Sequence, residues 1–297
     1  MASPPLRGRH EEPDRPVSPP EGKRLGIMAG EGELPALVAR NAGARGLEPV
    51  TVTFSSPVEK ALTPLSASLL RCGPGQPNKI FRFLHREGVR EVVFAGKVEK
   101  RWLFRNPRLD LRAVRVLRRL KDRRDDSIML AVIEEMESEG FHVLPQKEFL
   151  DDLFARPGVL SRRPPTKRER EDLEFGFGMA KGVAALDLGQ TVVVRNRAVL
   201  AVEAIEGTDE TIRRGCAIAR RGAVAVKVAK PRQDPRFDVP VVGEETLRAL
   251  GEGGGTALGI EAERTMIVAG QAFLEEARRW KIAVFSMGEE KKRETDH

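Results

Sequence analysis

Residues 24–35 read RLGIMAGEGELP, and they decide the fold of the first half of the chain. The run 24–29 is short and apolar, which predicts a buried strand. Gly30 and Gly32 follow at once, and residues 36–44 have a helical pattern. A strand, a glycine turn and a helix in this order are typical of a parallel sheet with crossover helices.

The same alternation continues downstream. Strand patterns at 48–54 and 91–95 flank a helical pattern at 76–86, and a helix and a strand are predicted at 125–138 and 141–144. We therefore predict an α/β fold whose N-terminal domain, residues 23–155, is Rossmann-like with a parallel sheet.

A second domain is predicted after a linker at 156–165 that contains proline and glycine. A helical pattern at 167–181 precedes two apolar runs, 191–194 and 199–202, which are joined as in a β-hairpin. Strands and helices then alternate, so residues 166–288 are expected to form a distinct C-terminal α/β domain with a mixed sheet. The Pro-rich residues 1–22 are predicted to be a disordered leader, and residues 289–297 a polar tail.

The composition argues against several classes of protein. A chain of 297 residues suffices for two domains, and its two cysteines, Cys72 and Cys216, argue against a disulfide scaffold or a Cys-rich zinc module. The sequence lacks both an apolar run of ~18 residues and the pattern of a signal peptide, so we expect a protein of the reducing cytoplasm.

The positive charge is concentrated in one segment. The net charge is +7, yet residues 101–124 carry ten Lys or Arg against two Asp, which leaves the remainder close to neutral. The pattern at 109–120 predicts a basic amphipathic helix. Such a helix can face anionic lipid or a phosphorylated ligand, whereas nucleic-acid binding needs charge spread over a footprint.

Gly30 and Gly32 form the first candidate site, because glycines after a strand let backbone N–H groups approach a phosphate at a helix N-terminus. Pro35 stands where the dinucleotide-binding motif has its third glycine, and the turn contains no basic residue. An ordinary strand-to-helix turn explains the segment equally well.

Glu203, Glu206, Thr208 and Asp209 form the second candidate site. Thr208 is predicted to cap the following helix, with Asp209 in its first turn. Capping does not account for Glu203 and Glu206, which lie at the end of an apolar strand and are costly to bury without a partner or a cation. A simple cap with an exposed strand edge is the alternative to a functional role.

The third candidate site is the segment 227–240, KVAKPRQDPRFDVP. Carboxylates such as those of Asp234 and Asp238 can hold a divalent cation while Lys and Arg neutralise phosphate oxygens, as phosphoryl chemistry requires. In an extended chain the two aspartates lie about 13 Å apart at ~3.3 Å per residue, so both reach one ion only if the segment turns. A solvated loop of mutually paired charges is the alternative.

Five segments, taken in order, carry a resemblance to a known family: LGIMAGEGELP at 25–35, RDDS at 124–127, DLGQTVVV at 187–194, AVEAIEGTD at 201–209 and KPRQDPRFDVPVVG at 230–243. Through them the chain resembles the LpxI family, the UDP-2,3-diacylglucosamine pyrophosphatases of lipid A synthesis. The resemblance extends over residues 24–288. Glu31 departs from the family pattern, which has a small residue there.

The resemblance implies a cytoplasmic Gram-negative enzyme that uses Mg2+ to hydrolyse UDP-2,3-diacylglucosamine to UMP and 2,3-diacylglucosamine 1-phosphate (lipid X). Family members hold substrate between their two domains and can form homodimers. The catalytic aspartate of the family aligns with Asp234 or Asp238, and Asp234 is the first choice.

These observations together assign candidate roles. The catalytic candidates are Asp234 and Asp238. The metal candidates are Asp234, Asp238, Glu203, Glu206 and Asp209. The candidates for binding substrate and phosphate are Gly30, Gly32, Lys227, Lys230, Arg232, Gln233, Arg236 and Thr208.

The acyl chains of such a substrate require an apolar groove, which we expect between the domains and near the basic helix. That helix is expected to bring Arg112, Arg115 and Arg119 to the anionic surface of the inner membrane, and no nucleic acid is expected as a partner. Two rival functions stay open: a nicotinamide-dependent oxidoreductase that uses the glycine turn, and a non-catalytic protein that binds lipid or nucleic acid through residues 101–124.

Overall fold

The computed structural model describes residues 23–97, 109–120 and 125–288, with the side chains of residues 125 and 126 outside the description. The predicted leader (1–22) and tail (289–297) lie outside the described residues, as do residues 101–108 and 121–124 of the basic segment. Among the residues described, no helix is long and apolar enough to cross a bilayer.

The first half of the chain is an α/β unit with a parallel sheet. Its elements are β1 (Arg24–Ala29), α1 (Leu34–Ala44), β2 (Glu48–Thr53), α2 (Ser56–Leu62), a 3-10 turn (Thr63–Leu65), β3 (Ser68–Arg71), α3 (Pro77–Arg86), β4 (Glu91–Ala95), α4 (Leu111–Arg119), α5 (Asp125–Ser138), β5 (His142–Leu144) and α6 (Lys147–Leu150), followed by a second 3-10 turn (Asp151–Leu153). The strand order is β3-β2-β1-β4-β5, all parallel, which confirms the Rossmann-like prediction.

The second half carries a six-stranded mixed sheet. Its elements are β6 (Gly158–Val159), α7 (Lys167–Ala185), β7 (Thr191–Arg195), β8 (Ala198–Val202), α8 (Thr208–Ala219), β9 (Val224–Lys227), β10 (Val241–Val242), α9 (Glu244–Glu252), β11 (Ala257–Glu261), β12 (Met266–Ile267), α10 (Gly270–Arg279) and β13 (Ala283–Met287). The strand order is β6-β13-β11-β9-β7-β8, and β10 pairs separately with β12.

Local sequence explains both sheets. β1 is buried along nearly its whole length, as expected for a strand covered on both faces, so its sequence is an apolar run rather than an alternation. The predicted hairpin is confirmed: β7 and β8 are antiparallel, and Asn196 and Arg197 between them have φ of 53° and 55°. Two left-handed residues of this kind suit a tight two-residue turn. The predicted linker 156–165 contains β6, which pairs with β13 at the sheet edge.

The two halves are in contact along one side of the segment 230–242. The N–H of Gln146 donates to the carbonyl of Pro235 at 3.1 Å. Phe237 packs against the core that contains strands β2 and β4, and Met266 is buried in the core around α1. The segment that carries Asp234 and Asp238 therefore belongs to the second half but contacts the first.

Candidate active site

Three buried charges lie where strands of the second sheet end. Glu203 directly follows β8, Lys227 ends β9 and Glu261 ends β11, and their exposed fractions are 7%, 7% and 2%. β8, β9 and β11 run in the same direction, so their carboxyl ends meet at one edge. Because an isolated charge is expensive to bury, each of these groups needs partners.

Lys227 lies at the centre of this edge. Its Nζ donates to Thr208 Oγ1 at 3.0 Å and to a main-chain carbonyl at 2.8 Å, and Thr208 Oγ1 donates to Glu203 Oε1 at 3.0 Å. Burial lowers the pKa of Lys227, while the negative charges of Glu203, Asp209 and Asp238 oppose that shift. One buried ammonium group is thus linked to Glu203 through Thr208 and lies in the electrostatic field of three carboxylates. We call Lys227, Glu203, Asp209 and Asp238 the lysine centre.

The predicted cap at Thr208 is wrong. Gly207 occupies the N-cap position of α8, and the Thr208 side chain makes no capping hydrogen bond. Its hydroxyl instead links Lys227 to Glu203, which requires that it point towards the sheet edge. Asp209 is in the first turn of α8, as predicted, and accepts a hydrogen bond from Thr246 at 3.2 Å.

The two glutamates of the second candidate site separate. Glu203 also accepts a hydrogen bond from the N–H of Gln190 at 3.2 Å. Glu206 accepts hydrogen bonds from Thr211 at 3.3 Å and from Arg214. Main-chain hydrogen bonding and Arg214 lower the pKa of Glu206. Glu203 therefore belongs to the lysine centre, whereas Glu206 is held by groups of α8.

We call residues 227–240 the Gln-Asp segment, after Gln233 and Asp234 at its middle. This segment turns, as a shared site for Asp234 and Asp238 requires. The N–H of Asp238 donates to the carbonyl of Asp234 at 2.9 Å. The guanidinium of Arg236 contacts the Asp234 carboxylate at 2.7 Å and Glu137 of α5 at 2.8 Å, and its hydrogen bonds lower the pKa of Asp234. Asp234 is thus engaged by Arg236, while Asp238 contributes to the field at Lys227.

The remaining candidates of this segment have separate environments. Lys230 Nζ pairs with Asp187 at 2.7 Å. The main-chain N–H of Lys230 donates to Gln233 Oε1 at 2.8 Å. Gln233 Nε2 donates to Gln190 Oε1 at 3.5 Å, which connects the segment to the loop before β7. Arg232 is exposed. Gln233 and Asp238 also line a cavity of about 100 Å³ together with side chains of the first half.

Sequence reasoning missed two residues that hold these parts together. Gln190 bonds both to Glu203 and to Gln233. Glu261 accepts from the N–H of Ala229 at 2.7 Å and pairs with Lys181 at 2.9 Å, so it anchors the start of the Gln-Asp segment. The available signal for Glu261 was a carboxylate at the end of the apolar run ALGIE.

The glycine turn has a packing role in the first sheet. The N–H of Gly30 donates to Ala95 at 2.8 Å, and the N–H of Glu31 donates to Lys97 at 2.8 Å. A Cβ on Gly30 would lie 2.7 Å from the main chain of Lys97. Gly32 has φ of 96°, a left-handed conformation that suits glycine. The N–H groups of Gly30 and Glu31 are therefore hydrogen-bonded within the protein and cannot at the same time donate to a dinucleotide phosphate.

Among the described residues, no group of three His, Cys, Asp or Glu side chains has an arrangement that could hold a metal ion by itself. Magnesium, however, is commonly bound by one or two carboxylates together with substrate phosphates. Asp209 and Asp238, which both act electrostatically on Lys227, supply the two carboxylates that such a shared site needs, whereas the predicted ligands Asp234 and Glu206 are engaged by arginines.

The fold and the site define a two-domain α/β protein with a charged centre at the carboxyl edge of its second sheet, beside a segment that contacts the first domain. Comparison with known proteins gives the particular family. Residues 24–153 match the LpxI N-terminal domain and residues 156–285 match the LpxI C-terminal domain. The chain belongs to the LpxI family.

One relative comes from Caulobacter vibrioides and is named UDP-2,3-diacylglucosamine pyrophosphatase LpxI. It is 31% identical over 266 residues, which cover 86% of this chain and 94% of the relative. This coverage means that the match extends over both domains.

Proposed function

We propose that this chain hydrolyses the pyrophosphate of UDP-2,3-diacylglucosamine to UMP and 2,3-diacylglucosamine 1-phosphate. The observation that carries the proposal is the lysine centre, in which the buried ammonium group of Lys227 is held through Thr208 by Glu203 at the start of a segment rich in cations. Phosphoryl transfer to water requires fixed positive charge at the phosphate oxygens and a group that positions the water. Membership in the LpxI family and the name of the Caulobacter relative support the choice of substrate.

Lys227 is the fixed cation in this proposal. Glu203, Asp209 and Asp238 favour its protonated form, and Thr208 and Glu203 hold its position. Asp238 accepts a hydrogen bond from the attacking water and orients it. Asp234 acts through Arg236, whose guanidinium it holds for a phosphate oxygen. Asp209 and Asp238 would hold Mg2+, which would supply neutralising charge to the pyrophosphate.

The direct test is release of UMP from UDP-2,3-diacylglucosamine by the purified full-length chain, with Mg2+ and then with EDTA. We expect equal amounts of UMP and lipid X with Mg2+, no release in EDTA, and recovery when Mg2+ is restored. No release by folded protein would overturn the proposed function. Release that EDTA does not affect would retain the hydrolysis and overturn the metal.

The rival oxidoreductase is less well supported, because the N–H groups of Gly30 and Glu31 are bonded to the chain after β4. Equilibrium dialysis with NAD(H) and NADP(H) separates the two functions. We expect no retention of either dinucleotide. Retention at micromolar concentrations, without UMP release, would favour the oxidoreductase.

We also propose that α4 contacts the anionic surface of the inner membrane. Leu111 is 84% exposed, and Arg115, Arg118 and Arg119 are exposed at helical spacing from it. Arg112, which was expected on this surface, instead pairs with Glu135 at 3.3 Å and with Glu139. An exposed apolar side chain among arginines is the pattern of an interfacial helix.

Co-sedimentation with vesicles of phosphatidylglycerol and phosphatidylethanolamine tests this contact. Binding should fall as salt rises, and Arg115→Ser with Arg119→Ser should weaken it, whereas Arg213→Ser and Arg214→Ser on α8 form a matched control pair. Binding that ignores salt or the α4 substitutions would contradict the contact. Salt-dependent binding to duplex DNA, without turnover, would favour the nucleic-acid rival.

Formation of a homodimer stays a prediction, and sedimentation equilibrium of the purified chain tests it.

A further inference from the structure

A buried carboxylate holds the first residues of the Gln-Asp segment. Glu261 ends β11, and only 2% of it is exposed. Its carboxylate accepts a hydrogen bond from the N–H of Ala229 at 2.7 Å and pairs with Lys181 Nζ of α7 at 2.9 Å. Because a buried charge is costly without partners, both contacts stabilise this carboxylate in the core. The N–H of Ala229 therefore has a fixed, charged acceptor.

The position of Glu261 in the second sheet explains this contact. β9 pairs with β11 as far as Lys227, where β9 ends, whereas β11 extends one residue further. The next two N–H groups of the departing chain point to opposite neighbours. That of Val228 donates to the carbonyl of Gln190 before β7 at 2.9 Å, and that of Ala229 donates to Glu261 at the end of β11. The carboxylate thus continues the hydrogen bonding of the sheet beyond the end of β9.

A second contact fixes the residue that follows. Arg264 Nη2 donates to the carbonyl of Lys230 at 2.9 Å, and Arg264 Nη1 lies 3.5 Å from the Glu261 carboxylate. The same Lys230 carbonyl accepts a hydrogen bond from the N–H of Gln233 at 3.2 Å, which closes the turn directly before Asp234. Glu261 and Arg264 therefore hold the base of the turn that leads into the two aspartates.

The position of this turn matters for the reaction. The N–H of Asp238 donates to the carbonyl of Asp234 at 2.9 Å, so a displacement of the turn before Asp234 also displaces Asp238. A displacement of about 1 Å at reacting groups can lower a rate by about 10²-fold. The Glu261 carboxylate itself is engaged by Ala229 and Lys181, so it acts on Asp238 through the main chain of the Gln-Asp segment.

We propose that Glu261 is a positioning residue of this enzyme: it fixes the Gln-Asp segment through the N–H of Ala229 and thereby sets the place of Asp238 at the lysine centre. This inference rests on the proposed function for the identity of the reaction. It also makes a claim about the local stability of the Gln-Asp segment, which can be measured in the absence of substrate.

The chain offers a matched control at the other end of the same sheet. Asp172 of α7 is 3% exposed, and its carboxylate accepts hydrogen bonds from the N–H groups of Asn196 and Arg197 at 2.9 Å and 2.7 Å. These two residues form the hairpin turn between β7 and β8. Because β7 and β9 are antiparallel, this turn lies at the edge opposite the carboxyl end of β9. Asp172→Ala therefore removes an equally buried carboxylate from a main-chain turn on the far side of the sheet.

Three variants test the role of Glu261. Glu261→Ala removes the acceptor of the Ala229 N–H. Arg264→Met removes only the contact with Lys230, and since Arg264 is partly exposed, this variant is expected to fold. The double variant Lys181→Met with Glu261→Gln keeps an uncharged acceptor for Ala229 and removes both charges of the buried pair.

The first readout is native-state hydrogen exchange, followed peptide by peptide, and the second is kcat for UMP release by folded protein. We expect Glu261→Ala and Arg264→Met to speed exchange in residues 228–240 by at least about tenfold and to lower kcat by about tenfold to 10²-fold. Asp172→Ala should instead speed exchange at the hairpin turn and keep the wild-type kcat. The double variant should restore kcat to within about threefold of wild type, because it retains the contact with Ala229.

Wild-type exchange in residues 228–240, or wild-type kcat, in both Glu261→Ala and Arg264→Met would overturn the inference. If Glu261→Ala does not fold, Arg264→Met decides by itself. A double variant as slow as Glu261→Ala would overturn the contact with Ala229 as the cause. Absence of UMP release by wild type would instead overturn the proposed function, and hydrogen exchange would still decide whether Glu261 fixes the segment.

Discussion

The two sheets of this protein have similar carboxyl edges and opposite chemistry. In the first domain the strands end beside Met28, Phe54 and Phe94, which line an apolar cavity. In the second domain the strands end in Lys227 and Glu261, with Glu203 one residue beyond a strand, and all three are buried charges. Both edges provide a crevice because strands that run in one direction end together.

The difference shows that topology supplies the position of a site and that the last residue or two of each strand supply its chemistry. An apolar edge can accept hydrocarbon at no electrostatic cost. A charged edge must be paired before it can be buried, so its side chains are held in fixed positions by one another.

Among substitutions at the charged edge of the second sheet, we expect Lys227→Met to have the largest effect on stability and activity. Loss of the ammonium group leaves Glu203, Asp209 and Asp238 without their common partner, so we expect a destabilisation of about 3–5 kcal/mol. UMP release should fall by about 10²–10³-fold, the range for removal of a fixed transition-state donor. Urea unfolding and kcat, measured where circular dichroism shows folded protein, provide the check.

Lys60→Met on α2 is the matched control, because Lys60 is exposed. It should keep the wild-type free energy of unfolding within about 0.5 kcal/mol and the wild-type kcat. A folded Lys227→Met variant with wild-type kcat would remove the lysine centre from the mechanism.

A second comparison lies within the Gln-Asp segment itself. Asp238→Asn removes a carboxylate that acts at Lys227, and we expect kcat to fall by about 10²-fold or more. Asp234→Asn weakens the hold on Arg236, and since Arg236 keeps Glu137 as a partner, we expect a smaller loss of about tenfold. Steady-state kinetics of the two variants decides the order, and the reverse order would restore Asp234 as the first choice.

Much of the fold could be predicted because its signals are local. The apolar run of β1, the glycines after it and the hairpin at Asn196 and Arg197 each follow from a few neighbouring residues. The central strand β11 was missed, since its five residues ALGIE follow a glycine-rich stretch and include Gly259. A Cβ on Gly259 would lie 2.7 Å from Leu173 and 2.6 Å from Met287, so tertiary packing selects that glycine.

The site was only partly predictable, because its residues come together through tertiary structure and not through a local pattern. Glu203 and Asp209 were predicted in one segment and Lys227 and Asp238 in another, and residue types alone marked both. That the two segments meet at one sheet edge depends on strand order, which no local pattern specifies. Gln190 and Glu261 contact the site from more distant parts of the chain, so no local pattern connected them with it.

The first sheet can be tested at Gly30, which directly follows β1 and lies against the main chain of Lys97. Gly30→Ala would place a methyl group 2.7 Å from the main chain of Lys97, so we expect destabilisation of about 1–3 kcal/mol from overpacking. Gly43→Ala in α1 is the control, because a Cβ there meets nothing within 4 Å, and it should be neutral or stabilising. Thermal unfolding measures both. Equal melting temperatures would refute the packing role.

The smallest expected effect on stability concerns Glu169 of the second domain, whose carboxylate caps the start of α7. Burial alone would raise the pKa of Glu169, but hydrogen bonds from Arg163 and from the N–H of Thr166 outweigh it and lower the pKa to about 2. Because the folded pKa lies below the unfolded value, the stabilisation is fully present above about pH 5 and is lost as the pH falls towards 2.

Glu169→Gln should therefore cost about 1 kcal/mol at pH 7, in the range of a lost cap, and progressively less in acid. Urea unfolding of wild type and variant at pH 7, 5 and 3 measures the difference, with Glu174→Gln on the exposed side of α7 as the control. Because Glu169 stabilises a helix start and lies outside the lysine centre, kcat at pH 7 should be unchanged. A loss of kcat as large as that of Asp238→Asn would mean that charge throughout the second domain, and not only at its carboxyl edge, supports the reaction.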